Sequence, residues 1–145
     1  MPIATDIADN WAKEYISVLI KRGIVQNAKE FRPNDSLSRA EFLKIVGNSA
    51  GWDVQSASGV TLPFKDLSTV PWASPYLRYA ISNKIVSSAN EFRPNDNISR
   101  AEVAKILSVS LKLRTSGYVG VFSDVPKSNS LSLYVESMKA EKIFE

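Results

Sequence analysis

Arg39 and Arg100 stand 61 positions apart in the same short segment, Ser-Arg-Ala-Glu, and each is followed two residues later by a glutamate, Glu41 or Glu102. A guanidinium is a planar fork that matches a carboxylate or phosphate, so one chemistry open to these residues is the capture of an anionic ligand against backbone amides. The other is internal. Arg39 can pair with Asp35 or Glu41, and Arg100 with Asp96 or Glu102, as purely structural ion pairs. Spacing alone favours the structural reading, because Ser-x-x-Glu is a capping box found in proteins of every function. Trp11 and Trp72 recur at the same interval. An indole on a helix face ordinarily fills the core, whereas a partly exposed one beside an arginine can stack on a sugar ring. Asp6, Asp66 and Asp124 lie just ahead of the first helices, where capping a turn is their expected role. Paired-carboxylate hydrolysis needs two groups in differing environments around a cleft, which acids recurring once per unit do not supply.

Composition closes most other chemistry. The 145 residues include no Cys and no His, which removes disulfides, thiolate metal sites, cysteine nucleophiles and imidazole bases or zinc ligands. No catalytic residue, metal or cofactor is assigned. The net charge of +3 is mild, with acidic and basic residues interleaved. No apolar run approaches the roughly 20 residues that span a bilayer, so no membrane insertion is expected. The start, Met1-Pro2-Ile3-Ala4-Thr5-Asp6, lacks the basic and apolar regions of a signal peptide, so an export signal would have to lie outside this chain.

The elements that must position these residues are repeats. Trp11 to Ile45 aligns without gaps on Trp72 to Ile106 with 19 identities in 35 positions, and a partial third copy follows, with Phe122-Ser123-Asp124 echoing Phe64-Lys65-Asp66 and Tyr134 falling on Tyr76. The expected units are 1–54, 62–115 and a partial 121–145. Apolar Trp11, Tyr15, Val18 and Leu19 mark one face of a helix over about Asn10 to Arg22, closed by Gly23. In the second copy Asn83-Lys84 replaces that glycine, with Asn the residue to turn left-handed, while Ser74 and Pro75 suggest a cap and first turn. A turn-forming loop, Phe31-Arg32-Pro33-Asn34-Asp35 or Phe92-Arg93-Pro94-Asn95-Asp96, leads to a second helix capped by Ser38 or Ser99. Residues 55–59 and 115–120 read as connections. The fold class is all-α, built of helix-loop-helix repeats.

On these residues the chain resembles the S-layer homology domains. That family's pattern is matched by Asp6, Trp11-Ala12, Tyr15-Ile16, Gly23-Ile24-Val25, Phe31 to Asp35 and Ser38 to Glu41, and again by Asp66, Trp72-Ala73, Tyr76-Leu77, Ile85-Val86, Phe92 to Asp96 and Ser99 to Glu102. The resemblance implies one S-layer homology domain over 1–145, a pseudo-threefold arrangement whose third repeat is incomplete. It implies a non-catalytic module at the cell surface, cell wall or S-layer that anchors exported proteins noncovalently, through a cell-wall polysaccharide or peptidoglycan-linked glycan, commonly an anionic secondary polymer bearing pyruvate ketals. It gives Arg39 and Arg100 a role in recognising the carboxylated glycan, Glu41 and Glu102 a capping and arginine-orienting role, and Trp11 and Trp72 a place in groove walls; Asp6 and Asp66, which match the family's early Asp, complete the candidate ligand-binding residues. The chain departs from the family in carrying Gln26-Asn27-Ala28 and Ser87-Ser88-Ala89 where glycines are usual, and Ser130 at the third Trp position.

Two other functions fit the residues. One is a protein-interaction scaffold whose third unit is completed by another chain. The other is a helix-turn-helix-like nucleic-acid binder, disfavoured because the second helices carry few basic residues suited to a groove face. No nucleic-acid partner is therefore expected, and the oligomeric state is left open.

Overall fold

A computed structural model describes residues 4–115 and 117–145; the start segment read for an export signal lies partly outside them, as does Ser116 of the second connection. Among the described residues five helices form and no strand does: α1 (Lys13–Lys21), α2 (Arg39–Ser49), α3 (Ser74–Ser82), α4 (Arg100–Ser110) and α5 (Ser132–Ala140). The mostly helical reading holds. The chain divides into two compact units, Met1–Leu37 and Ser38–Glu145, a division that falls inside the first sequence repeat.

In the first unit a 3-10 turn, Thr5–Ile7, precedes α1. The helix is shorter than expected because residues before Lys13 spend their hydrogen bonds on turns, with the Asn10 side-chain oxygen accepting from the Ala12 N–H at 2.8 Å. Its inward face also differs from the expected one. Ile16 is buried with Ile7 and Ala4, and Ala12, Ile20 and Phe31 pack against them, whereas Trp11, Tyr15 and Val18 point outward. One helical step separates the two faces, and the aliphatic Ile16 and Ile20 win the core over the larger aromatics.

In the second unit both second helices open as the sequence requires. Ser38 and Ser99 each accept from the backbone N–H of the glutamate three residues on, and that glutamate's carboxylate accepts from the serine N–H in return. The cap expected at Ser74 does not form: Ser74 is already helical, and a 3-10 turn, Pro71–Ala73, feeds the helix instead. A further 3-10 turn, Val54–Ala57, occupies part of the first connection and buries Ala57. Leu43, Phe64, Leu77, Phe92 and Ile106 form the main core, and Ala104, Val135 and Met138 a smaller one where α5 packs on α4.

The copies share their backbone turns even where side chains differ. Gly23, Lys84 and Lys142 occupy equivalent positions and have φ of 68°, 58° and 57°. Lys84, not Asn83, therefore closes the second copy's first helix in the left-handed region. Arg32 and Arg93, at φ 59° and 58°, repeat the same device in the loop. There two consecutive N–H groups converge on one carboxylate: Asp66 accepts from Phe92 at 3.0 Å and Arg93 at 2.7 Å. Asp6 does the same for Phe31 at 2.9 Å and Arg32 at 2.7 Å.

Candidate functional site

The start of α2 meets the loop of the second copy. Ser38 forms an isolated antiparallel bridge with Asn97, the Arg39 N–H donates to the Asp96 carbonyl at 2.9 Å, and the Ala40 N–H donates to the Pro94 carbonyl at 3.1 Å. Donors that a helix start leaves unpaired are thus satisfied by the other copy's backbone. The Arg39 side chain follows the same path. Its Nε donates to the Phe92 carbonyl at 2.9 Å, its guanidinium lies 4.8 Å from the Phe92 ring centroid, and its Nη1 pairs with Glu102 Oε1. Neither Asp35 nor Glu41 is its partner. Asp35 pairs with Arg32 at 3.6 Å, and the Glu41 carboxylate is held by the Ser38 N–H at 2.9 Å.

Glu102 is the hub of this cluster. One oxygen receives Arg39 and, at 3.3 Å, Arg93 Nη2; the other accepts from the Ser99 N–H at 2.9 Å and the Ser99 hydroxyl at 3.0 Å. Burial pushes its carboxyl up, but the Ser99 N–H and the Arg39 charge outweigh that, holding it below the ordinary Glu range. The side chains of Arg39 and Glu102 are only 14% and 23% exposed, so the pair is largely shielded from solvent.

Beside this pair opens a cavity of about 340 Å³, near the lower end of ordinary ligand pockets. Phe64, Ile85, Val86, Phe92, Ile106 and Leu131 supply its apolar lining, and Arg39, Arg93, Lys105, Glu91 and Glu102 its charges. Arg93 is drawn to Glu102 and also to Asp96, at 3.5 Å. Lys105 has no carboxylate partner among the described residues and donates to the Ser87 hydroxyl at 3.0 Å. Such a lining can hold a ligand that joins an apolar face to a negative group. Among the described residues no cluster of acidic side chains could hold a metal ion.

Of the eight residues singled out by sequence, the cavity brings together Arg39 and Glu102. Arg100 is exposed, lies 4.7 Å from the Phe144 ring centroid, and has neither Asp96 nor Glu102 as a partner. Among the described residues, the N–H groups of Arg100 and Ala101 also meet no backbone acceptors like those that meet Arg39 and Ala40. Trp11 is 85% exposed and edge-on to Tyr15, so it does not fill the core. Trp72, 41% exposed, lies beneath the Lys44 ammonium at 5.3 Å from its ring centroid. Asp6 and Asp66 are committed to the loop N–H groups. The Phe31 and Arg32 N–H groups lower the Asp6 carboxyl; burial raises that of Asp66, and the Phe92 and Arg93 N–H groups more than reverse it.

Arg93, Lys105, Ser87 and Glu91 were not singled out. Arg93 carried a signal, since it belongs to the repeated Phe-Arg-Pro-Asn-Asp segment. Lys105 carried a weaker one, its identity with Lys44 in the aligned copies. Nothing local marked Ser87 as its partner, 18 residues away.

The profile of the S-layer homology domain matches residues 5–43 and 63–104, in register with the two copies. An amylopullulanase of Thermoanaerobacterium thermosulfurigenes is 31% identical over 113 residues, 76% of this chain and 6% of that protein. The exoglucanase XynX of Acetivibrio thermocellus is 30% identical over 114 residues, 77% of this chain and 10% of that protein. The surface-layer 125 kDa protein of Lysinibacillus sphaericus is 34% identical over 113 residues, 72% of this chain and 9% of that protein. The chain thus spans a tenth or less of these relatives. Their enzyme names come from other domains, and what they share with a surface-layer protein is a non-catalytic surface-anchoring module. No helix among the described residues is long and apolar enough to cross a membrane. Two profile matches covering over half of the residues, each laid on one copy of the repeat, make this chain a member of the S-layer homology domain family.

Proposed function

We propose that this chain anchors a larger protein by binding a cell-wall polysaccharide noncovalently, with repeat units 1–54, 62–115 and 121–145 acting as one module. The ligand is an anionic secondary polymer, and its pyruvylated form combines an apolar methyl with a carboxylate. The observation that carries this reading is the cavity between elements of successive copies, in which apolar walls adjoin Arg39, Arg93 and Lys105. Arg39 orients the site through Glu102 and Phe92. Arg100, exposed beside two N–H groups at the start of α4, offers a second position for negative charge. Trp72 supplies a partly exposed ring near the first copy's lysine, and Trp11 an exposed one in the first unit.

The test is co-sedimentation with purified cell-wall sacculi. The protein should pellet with intact walls, remain in solution with walls stripped of their secondary polymer, and lose affinity in Arg100→Ala. Retention by stripped walls would overturn the specific glycan.

A second reading has one observation in its favour. Tyr15 and Val18 on α1, with Trp11 in the turn just before it, form an outward apolar stripe that a protein partner could cover. A monomeric solution mass, unchanged on mixing with wall extracts, would remove it.

A further inference from the structure

The lysine at the equivalent place in each second helix has two different fates. Lys44 lies over the Trp72 ring, a cation held by an aromatic face. Lys105 occupies the same register in α4, but the third copy has Ser130 where the tryptophan would stand. Without a ring to cover, Lys105 lines the cavity and donates to Ser87 Oγ at 3.0 Å. The other two cations of the cavity are already engaged, Arg39 by Glu102 and Arg93 by Glu102 and Asp96. An incoming anion would have to compete with a carboxylate for either arginine, but at Lys105 only with a neutral hydroxyl.

We propose that the Lys105 ammonium, held in the cavity by the Ser87 hydroxyl, is the group that receives the carboxylate of a glycan ligand, and that Arg39 is a positioning residue. This rests on the wall-glycan reading above. Ser87 and Ala89 both line the cavity and stand where the family's glycines are usual. The hydroxyl gives Lys105 an anchor that a glycine could not.

Sedimentation with purified walls tests this, using native walls and walls whose carboxylates have been amidated with carbodiimide and methylamine. Lys105→Met should weaken binding to native walls about tenfold or more, as loss of a charge-assisted hydrogen bond does, and lose nothing further on amidated walls. Arg39→Ala should lower the melting temperature, which Lys105→Met should leave unchanged. If the wild type binds native walls and Lys105→Met binds equally well, or if the losses from substitution and amidation multiply, Lys105 is not the receiver. If the wild type does not bind native walls at all, the wall-glycan reading falls and this inference with it. Acetylation of the wild type by N-hydroxysuccinimidyl acetate gives a reading independent of any variant's folding: Lys105 should be protected when the protein is wall-bound, and its full modification there would overturn the proposal.

Discussion

Arg39 and Glu102 form an ion pair across 63 residues of sequence, joining the helix start of one copy to the capping box of the next. The glutamate performs two tasks with its two oxygens, closing its own helix with one and holding the other copy's arginine with the other.

Arg39→Ala should therefore cost stability. It removes a shielded ion pair and the bond to Phe92, yet leaves Glu102 with Arg93 and Ser99. The loss should fall below the 3 to 5 kcal/mol of a fully orphaned charge, at about 2 kcal/mol, a fall in melting temperature of roughly 6 °C. Arg100→Ala, at an exposed position, should change stability by less than about 0.5 kcal/mol. Calorimetric melts of the two variants side by side would check the contrast.

Acid should loosen the fold through its carboxylate clamps. Asp6, Asp66, Glu102 and Glu136 all have carboxyls held below their ordinary values of 3.8 and 4.5. For Glu136 burial raises the value, and the N–H groups of Val119, Gly120 and Val121, at 2.5, 2.6 and 3.1 Å, more than reverse it. A depressed folded value means the unfolded chain takes up protons first. Their stabilisation is complete above about pH 5 and drains away as pH falls through 4.5 and below. Melts from pH 7 to 3 should show a plateau and then a decline, and the deficit of Glu136→Gln against the wild type should narrow as the pH drops.

Gly47→Ala should destabilise although it replaces glycine in a helix interior. The added methyl would lie 2.8 Å from both Trp52 and Tyr76, rings held in place by stacking on Tyr79 and by a hydrogen bond to Asn48. Overpacking of about 1 to 3 kcal/mol should exceed the gain of about 1 kcal/mol in helix propensity. Gly59→Ala, which meets nothing within 4 Å, is the control expected to be neutral or slightly stabilising in urea titrations.

Lys84→Gly should stabilise. A left-handed residue with a Cβ costs about 1 to 2 kcal/mol, partly offset by the greater unfolded freedom of glycine, so a net gain of about 0.5 kcal/mol is expected. The position is exposed, and the first copy already has Gly23 there. Chemical denaturation midpoints would measure it.

What was legible in the sequence was local. The repeats, the capping boxes at Ser38 and Ser99 and the turns at the Pro-Asn-Asp loops depend on residues within a few positions of one another. Arg39 was noticed but given the wrong partners, because helical spacing points to Glu41 and nothing nearby marks a glutamate in the other copy. The α1 face was misjudged by one step because aromatics weigh heavily in an apolar pattern, although Ile16 and Ile20 were the residues to bury. Lys84 and Lys105 were obscured for a related reason: a lysine discloses neither a left-handed backbone nor a hydroxyl partner 18 residues away.

The N–H donors of Arg39 and Ala40 end on carbonyls of residues 96 and 94. A gene segment cut at the period of the alignment would strand that helix tip, with its polar groups facing water and its arginine without a mate. Grafting this fold onto a cargo therefore calls for a piece that keeps residues 39 to 102 on one stretch of chain, out of phase with what the eye picks out in the letters.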